Sequence, residues 1–155
     1  MLLSHRLSVP KKQRKFYSGK KKKHTLKTQV IFNPQLKQIV SIQIEDGRKH
    51  DLNIARKHLK EMIIYPYIIA DLAYKGFHQI KSKLLIPIKK PNNLSLPQIA
   101  KQINQEISRR RITIEHINGK LKHFRILTER YRNRRKRFGL RMNLIAGMVN
   151  WMLLN

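Results

Sequence analysis

The regular part of the chain opens with two runs in which hydrophobic and polar positions alternate. The first run covers residues 24–32, the second covers residues 40–44, and the pair Asn33–Pro34 begins the connection between them. Alternation with a period of two is typical of strands that bury one face. Two such runs around a short polar connection predict a β-hairpin, which ends at Asp46–Gly47.

Beyond the hairpin, the pattern predicts one helix and two short strands. The helix covers residues 51–60, with Asp51 placed to cap it. The continuous apolar run Tyr67–Ala70 predicts a strand buried on both faces, with Asp71 directly after it. Leu84–Ile88 predicts a second strand, which belongs at a sheet edge because it contains a proline.

The C-terminal half of the chain is predicted to be helical. Ser95 and Gln98 have the spacing of a helix capping box. An apolar stripe follows at helical spacing: Ile103, Ile107, Ile114, Ile117, Leu121 and Phe124. It predicts one long helix, or two helices nearly in line if Arg109–Arg111 interrupts it. A last helix is predicted over Leu140–Leu154, and the order of elements indicates an α/β fold whose hairpin leads into a parallel strand.

The charge of the chain narrows the choice of partners. Its 155 residues include 35 Lys and Arg against 8 Asp and Glu, which gives a formal net charge of +27. Such a cationic excess destabilises a compact fold through self-repulsion, and a nucleic-acid backbone is a partner that can use it. The length predicts one domain, residues 24–155, after a basic N-terminal arm, residues 1–23.

Two basic runs are the candidate contacts with nucleic acid. The first is Lys20, Lys21, Lys22 and Lys23, and the second supplies Arg130, Arg132, Arg134, Arg135, Lys136 and Arg137. A run of like charges is also typical of a solvated, disordered arm. For the first run both interpretations stay open, since the first 28 residues contain ten Lys or Arg and no acid.

Several absences bear on location and chemistry. The chain has no cysteine, which excludes disulfides and cysteine-based metal sites. Met1–Val9 has too short an apolar run for a signal peptide, and Leu144–Asn155 is too short to span a bilayer. The basic runs lack the amphipathic helix that binding to a membrane surface requires. The expected location is the cytoplasm, in association with the nucleoid.

The eight acidic residues can be considered one by one. Five are interpreted as turn residues or surface ion pairs: Glu45, Asp46, Glu61, Glu106 and Glu129. Asp71 is different, because a carboxylate at the end of a buried strand needs a partner or a metal ion. Strand ends are also where α/β folds place their sites. A structural role as cap of the segment Ala73–Gly76 explains Asp71 equally well.

Glu115 lies at the border of the predicted helical stripe, with Gly119 one turn further on. A glycine there would let the helix approach the sheet and bring Glu115 to its rim. The alternative is a surface ion pair of Glu115 with Lys122 or Arg111. The pair His50–Asp51 is interpreted either as a plain helix cap or as a second layer of contacts behind a metal ion.

A strand carboxylate, Asp71, and a helix carboxylate, Glu115, on a basic scaffold suggest two-metal phosphoryl transfer. Hard Mg²⁺ or Mn²⁺ ions take oxygen ligands, and a phosphodiester supplies those that the protein does not. The basic surface would then hold the backbone of DNA.

Five segments occur in an order that carries a family resemblance. They read YSGKKKKHTLKTQ, GRKHD, ADLAYKGF, IEHINGKLK and RYRNRRKRF, and they begin at residues 17, 47, 70, 114 and 130. With them, about residues 10–150 resemble the C-terminal catalytic half of DDE transposases of the IS5 insertion-sequence group, which are related to the Harbinger transposases.

The resemblance implies an RNase H-like fold, in which three acids bind two divalent ions that cut DNA and join its ends. Asp71 matches the second acid and Glu115 the third, which implies that both bind Mg²⁺ or Mn²⁺. The block with His50 and Asp51 belongs to the family pattern without a clear role. The two basic runs would contact the DNA of insertion-sequence ends, and a second copy or a companion transposase chain is a candidate partner.

The chain departs from the family at its first acid. That acid lies on the strand before the YSGKKKK segment, yet residues 1–44 contain no Asp or Glu. We therefore expect a truncated or frame-shifted reading frame, with residues 1–9 unrelated to the family. The first central strand is expected to be missing or replaced by Leu2–Val9, and the chain to be inactive alone. The alternative hypothesis is a small basic protein that binds RNA or the ribosome without metal chemistry.

Overall fold

A computed structural model describes residues 2–7, 13–19, 22–78, 83–132 and 137–155. It has the mixed α/β architecture that the sequence predicts. The chain divides into two compact units. Residues 1–50 and 116–155 form the first, which we call the sheet unit, and residues 51–115 form the second, which we call the inserted unit.

The elements are numbered in chain order. The sheet unit contains β1 (Leu2–Arg6), α1 (Gln13–Phe16), β2 (Tyr17–Ser18), β3 (Lys23–Asn33), β4 (Gln38–Asp46), α5 (Arg125–Thr128) and α6 (Phe138–Leu154). The inserted unit contains α2 (Asp51–Lys57), α3 (Leu59–Ile63), β5 (Ile68–Ile69), a 3₁₀ helix (Leu72–Tyr74) and β6 (Leu84–Leu85). Helix α4 (Gln98–His123) begins in the inserted unit and ends in the sheet unit.

The predicted hairpin forms the centre of the sheet unit. Strands β3 and β4 pair antiparallel, and a register shift between Ile31 and Phe32 leaves Val40 as an extra residue in β4. On its other side, β3 pairs antiparallel with β1 and, further along, with the short β2. The segment predicted as a replacement strand thus pairs with the hairpin, and residues 2–6 of the predicted arm belong to the sheet.

The hydrophobic core of the sheet unit includes the contact of α6 with β4. The helix buries Phe138, Met142, Ile145, Ala146 and Val149. One polar residue of α6 also takes part. Asn150 Oδ1 accepts a hydrogen bond from the backbone N–H of Ile39 at 2.7 Å, and Asn150 Nδ2 donates to the Ile39 carbonyl at 3.0 Å. The helix predicted over Leu140–Leu154 is therefore present, and it contributes to the core of the sheet unit.

Aromatic side chains hold β1 to the rest of the sheet unit. The His5 ring lies 5.1 Å from the Phe138 ring, which lies 5.0 Å from the ring of Tyr131. His5 Nδ1 donates to the Leu127 carbonyl at 2.9 Å, and the backbone N–H of Tyr131 donates to the Arg6 carbonyl at 2.9 Å. A strand that is short in sequence is thus fixed by contacts with distant residues.

The structure at the end of β4 differs from the sequence-based interpretation of Glu45 as a turn residue. Glu45, predicted as a turn residue, belongs to β4, and its buried side chain forms an ion pair with Lys49. Gly47 is required at the turn because a Cβ there would lie 2.0 Å from Thr25 Oγ1 and 2.4 Å from the Thr25 carbonyl oxygen. The close approach of two backbones, rather than a special dihedral angle, explains this glycine.

The inserted unit has little regular structure before α4. The helix predicted over residues 51–60 is divided into α2 and α3. Strand β5 has two residues and pairs in parallel with β6. The prediction of a strand buried on both faces at Tyr67–Ala70 is wrong, because Tyr67 is exposed and Ile68 and Ile69 are only partly buried. Four apolar residues in a row do not specify burial when no layer covers them.

Helix α4 is continuous, so the basic segment Arg109–Arg111 does not interrupt it. Its first backbone hydrogen bond runs from Lys101 to the carbonyl of Pro97, which places the helix start two residues later than a capping box at Ser95 requires. Asn104 Oδ1 accepts from the Ile88 N–H at 2.7 Å, and Asn104 Nδ2 donates to the Ile88 carbonyl at 3.0 Å.

Candidate active site and nucleic-acid interface

Asp71 follows strand β5 after one intervening residue, Ala70, close to the strand end at which the sequence predicts it. Asp71 has extended backbone angles and occupies the N-cap position of the 3₁₀ helix, but its side chain makes no capping hydrogen bond. Its side chain is exposed, and no ion pair of this carboxylate is seen with another residue in the described part of the chain. The capping role therefore does not explain the carboxylate.

Tyr74 is a neighbour of this carboxylate that the sequence analysis missed. The side chain is buried, with 4% of its surface exposed, and α2 packs against the 3₁₀ helix that carries it. Burial raises the pKa of Tyr74, and the negative charges of Asp51 and then Asp71 raise it further. Both carboxylates thus act on one buried hydroxyl. The available signal was the position of Tyr74 within the segment that follows Asp71.

The block of His50 and Asp51 is divided between the units. His50 is exposed and belongs to the sheet unit, whereas Asp51 is the first residue of α2 in the inserted unit. The negative charges of Asp51 and Asp71 both raise the pKa of Tyr74, so the two carboxylates act on the same side chain. The role of either residue behind a metal ion stays a prediction.

Glu115 lies on the exposed side of α4. Its Oε1 atom lies 3.8 Å from Arg111 Nη2, so the predicted surface ion pair with Arg111 is present. Gly119 does not serve the predicted close approach of the helix to the sheet, because a Cβ on this exposed residue would meet no atom within 4 Å. Glu115 therefore lies at the surface, and a ligand that binds it has to break only one weak ion pair, the one with Arg111.

Among the described residues, no group of three acidic or histidine side chains lies together as a ready-made metal site, and the shared use of Asp71 and Glu115 by one cation stays a prediction. Mg²⁺ takes six oxygen ligands and commonly keeps several waters, so one or two carboxylates together with substrate phosphates are an adequate set. The exposed and unpaired Asp71 fits this chemistry. Glu115 would fit this chemistry if its carboxylate released Arg111 and bound the cation instead.

The described members of the two basic runs lie on the surface. Lys22, Lys23, Arg130, Arg132 and Arg137 are exposed. The other predicted contacts lie outside the described residues: Lys20, Lys21, Arg134, Arg135 and Lys136. None of the helices in the described part of the chain has the length and apolar content needed to cross a bilayer.

Comparison with known families now identifies the class. The family described as DDE superfamily endonuclease matches residues 4–150. Since this match covers nearly the whole chain, the chain belongs to that family, and the predicted kinship with DDE transposases is confirmed. The expectation that residues 1–9 are unrelated to the family is wrong for residues 4–9.

A probable transposase for insertion sequence element IS702, from Microchaete diplosiphon, is 43% identical over 145 residues. The match covers 93% of this chain and 52% of the relative, so the chain spans about half the length of that curated relative. No solved structure matches the chain. The alternative of an RNA- or ribosome-binding protein finds no support in these comparisons.

Proposed function

We propose that this chain is a transposase-derived domain that binds DNA and a divalent cation, Mg²⁺ or Mn²⁺, and does not cleave DNA alone. The observation that carries the proposal is Asp71, an exposed carboxylate without an ion pair in a chain with 35 basic residues. A carboxylate that stays free among so many cations is available for a metal ion.

The cation would be held by Asp71 together with Glu115, with waters and DNA phosphates completing its ligands. Such an ion, when bound, stabilises negative charge on the oxygens of a phosphodiester. The chain itself contributes the two carboxylates, and the buried side chain of Tyr74 anchors the 3₁₀ helix that follows Asp71. Asp51, which acts on the same hydroxyl, would add negative potential toward the cation.

DNA is the proposed partner because the net charge is +27 and the described members of both basic runs are exposed. If about six phosphates are neutralised, log K should fall against log salt with a slope of roughly −5. Replacing Arg134, Arg135 and Arg137 by Ala should make that slope less steep by about 2 to 3. The same three-charge reduction at the exposed residues Lys89, Lys90 and Lys101 is the control, and an equal change there would contradict the assignment to the basic runs.

Inactivity in isolation is proposed because residues 1–44 contain no acid that could take the first place of a three-acid site. Two-metal catalysis needs ligands on both ions, so two carboxylates leave one ion weakly held. The RNase H-like fold and membership in the IS5 group belong to the same proposal. The antiparallel order of β1, β3 and β4 and the parallel pair β5–β6 support the fold assignment.

The deciding experiment is a Mn²⁺ titration followed by paramagnetic broadening in NMR spectra of the full chain, with and without duplex DNA. We expect broadening centred on Asp71 and Glu115, stronger with DNA and lost in Asp71→Asn and Glu115→Gln. Glu106→Gln is the matched control, because Glu106 lies on α4, is exposed and pairs with Arg110 at 2.8 Å four residues on. Broadening centred elsewhere, or an equal loss in Glu106→Gln, would contradict the site.

Nicking of supercoiled plasmid with Mn²⁺ tests the inactivity. The purified chain should show no nicking above a preparation of the Asp71→Asn variant. Nicking that is present in the chain and in Glu106→Gln, but absent from both Asp71→Asn and Glu115→Gln, would show that two carboxylates suffice and would overturn this part of the proposal.

A further inference from the structure

The outer face of α6 is apolar although nothing else in the described part of the sheet unit covers it. Four large side chains on this face are exposed by more than half: Leu140 73%, Leu144 67%, Trp151 68% and Leu154 58%. Together with Gly147 they recur at spacings of four and three residues and so share one face of the helix. We call these five residues the α6 stripe. Since the opposite face is the buried one, α6 is apolar on both sides, which is typical of a helix covered on both sides.

The α6 stripe is comparable in area to the largest apolar patch on a typical monomer, a patch that often serves as a binding surface. Its side chains and the neighbouring Met148, 47% exposed, present roughly 500 Å² of apolar surface. Typical monomers expose their largest apolar patch at about 300–600 Å², and each partner of a standard interface contributes about 800 Å². With the polar residues that flank it, the stripe is sufficient for a modest interface.

Charge limits what the stripe can bind. The segment 138–155 contains one charged residue, Arg141, in a chain of net charge +27. Arg141 is itself engaged by Tyr131, through a hydrogen bond to the hydroxyl and through the ring, whose centroid lies 5.5 Å from the guanidinium carbon. A nucleic acid or an acidic partner would find no cation on the stripe. Two copies of the chain, in contrast, would meet here with the least mutual repulsion.

The order of residues in the stripe is symmetric about Gly147. Leu144 and Trp151 lie three and four residues from it, and Leu140 and Leu154 lie seven residues from it on either side. A Cβ at Gly147 would meet no atom within 4 Å, so packing inside the chain does not require a glycine there. A glycine in the middle of a helix is unfavourable relative to alanine. A second helix that crosses closely at this position gives it a reason.

We infer that α6 pairs antiparallel with α6 of a second copy of this chain, across a two-fold axis at Gly147. In this arrangement Leu144 of each chain faces Trp151 of the other, and Leu140 faces Leu154, so that one patch is complementary to itself. The absence of a Cβ at Gly147 allows the helix axes to approach closely. The inference depends on the sheet unit alone and does not rest on the proposed DNA or metal binding.

Trp151 is the single tryptophan of the chain, so its fluorescence reports directly on the stripe. The experiment is a concentration series of the full chain in high salt, followed by sedimentation and by tryptophan emission. We expect a dimer that forms at about micromolar to tens of micromolar concentration. The emission maximum should move to shorter wavelength along the same curve, because Trp151 leaves water on association.

Variants separate pairing from folding. Leu144→Lys should abolish the dimer, whereas Met152→Lys, at a half-exposed position on the same helix but outside the stripe, should leave it intact. Gly147→Ala should raise the melting temperature of the monomer and yet weaken dimerisation at least tenfold, a combination that a purely structural role of Gly147 does not produce. Circular dichroism verifies that each variant is folded.

Three outcomes would overturn the inference. A chain that stays monomeric across the series contradicts it, as does a dimer that Leu144→Lys and Met152→Lys weaken equally. A shift of Trp151 emission that requires vesicles of anionic lipid, without self-association, would assign the stripe to a membrane surface instead.

Discussion

The sheet unit and the inserted unit use the same hydrogen-bonding device in different surroundings. In each unit, an asparagine on a helix binds both backbone groups of an isoleucine in an extended segment, at 2.7 Å and 3.0 Å. Ile39, held by Asn150, is 8% exposed, whereas Ile88, held by Asn104, is 43% exposed. Identical geometry therefore has different energetic weight, because water can replace Asn104 but has little access to Ile39.

The comparison teaches that the two units are specified in different ways. In the sheet unit, buried aromatic rings and close backbone approaches fix the position of each strand. In the inserted unit, two-residue strands and exposed polar contacts leave Asp71 and Glu115 at the surface, where a ligand can reach them. Substitutions should therefore change stability in the first unit and binding or pH behaviour in the second.

The largest effect is expected from Phe138→Ala. Phe138 is 1% exposed and lies between the rings of His5 and Tyr131. Removing the ring should destabilise the sheet unit by about 3–5 kcal/mol, measured by denaturant unfolding. Hydrogen exchange should show loss of protection in β1 and β3. If protection is lost only in the inserted unit, the contrast between the units is wrong.

Gly47→Ala is expected to destabilise the sheet unit by about 2–3 kcal/mol, because the new methyl group would overlap Thr25. Thermal or denaturant unfolding measures the effect. The control is Gly119→Ala on the exposed side of α4, where nothing lies within 4 Å of the new Cβ. That change should stabilise the helix by about 0.5–1 kcal/mol. Equal effects at both glycines would contradict the role given to Gly47.

The asparagine pair tests the comparison most directly. Asn150→Ala leaves the N–H and carbonyl of Ile39 without their partner in a partly buried place, which should cost about 2 kcal/mol. Asn104→Ala exposes the Ile88 backbone to water and should change stability by less than about 0.5 kcal/mol. The free energies of unfolding of the two variants provide the measurement, and similar losses would remove the distinction based on burial.

The smallest effect concerns pH and the inserted unit. Because burial and two nearby carboxylates raise the pKa of Tyr74, the folded chain keeps a proton there that the unfolded chain loses above about pH 10. Stability contributed by this group is therefore complete below pH 10 and falls as the pH rises, by up to about 1.4 kcal/mol per pH unit. Unfolding measured at pH 9 and pH 11 should show a smaller loss in Tyr74→Phe than in the original chain. An identical loss would contradict the raised pKa.

The sequence predicted those elements whose pattern is long or locally self-sufficient. The alternation before and after Asn33–Pro34 specified the hairpin, and the apolar C-terminal segment specified α6. The i, i+4 spacing predicted the Arg111–Glu115 contact in the same way. In each case the residues that determine the structure are neighbours along the chain.

Features that depend on distant residues were not predictable from the pattern. Nothing within Leu2–Arg6 indicates that rings from residues 131 and 138 hold the strand in the sheet. The apolar run Tyr67–Ala70 resembled a buried strand, since a run does not reveal whether other layers cover it. Asp71 is a candidate because it follows such a run, and its role stays a prediction, whereas the burial of Tyr74 depends on packing against α2 and leaves no mark in the pattern.

The paired hydrogen bonds of Asn150 also bear on the growth of the sheet. Among the described strands, β4 pairs with β3 alone, so its other border would ordinarily offer backbone groups to an incoming strand. At Ile39 the amide of Asn150 presents one donor and one acceptor, as a peptide group in a neighbouring strand would. A strand of another molecule would have to displace the Asn150 side chain from the Ile39 backbone. It would then have to pair with a strand whose register is irregular at Val40. Around Ile39, this border is thereby less accessible to the strand-upon-strand stacking that produces fibrils.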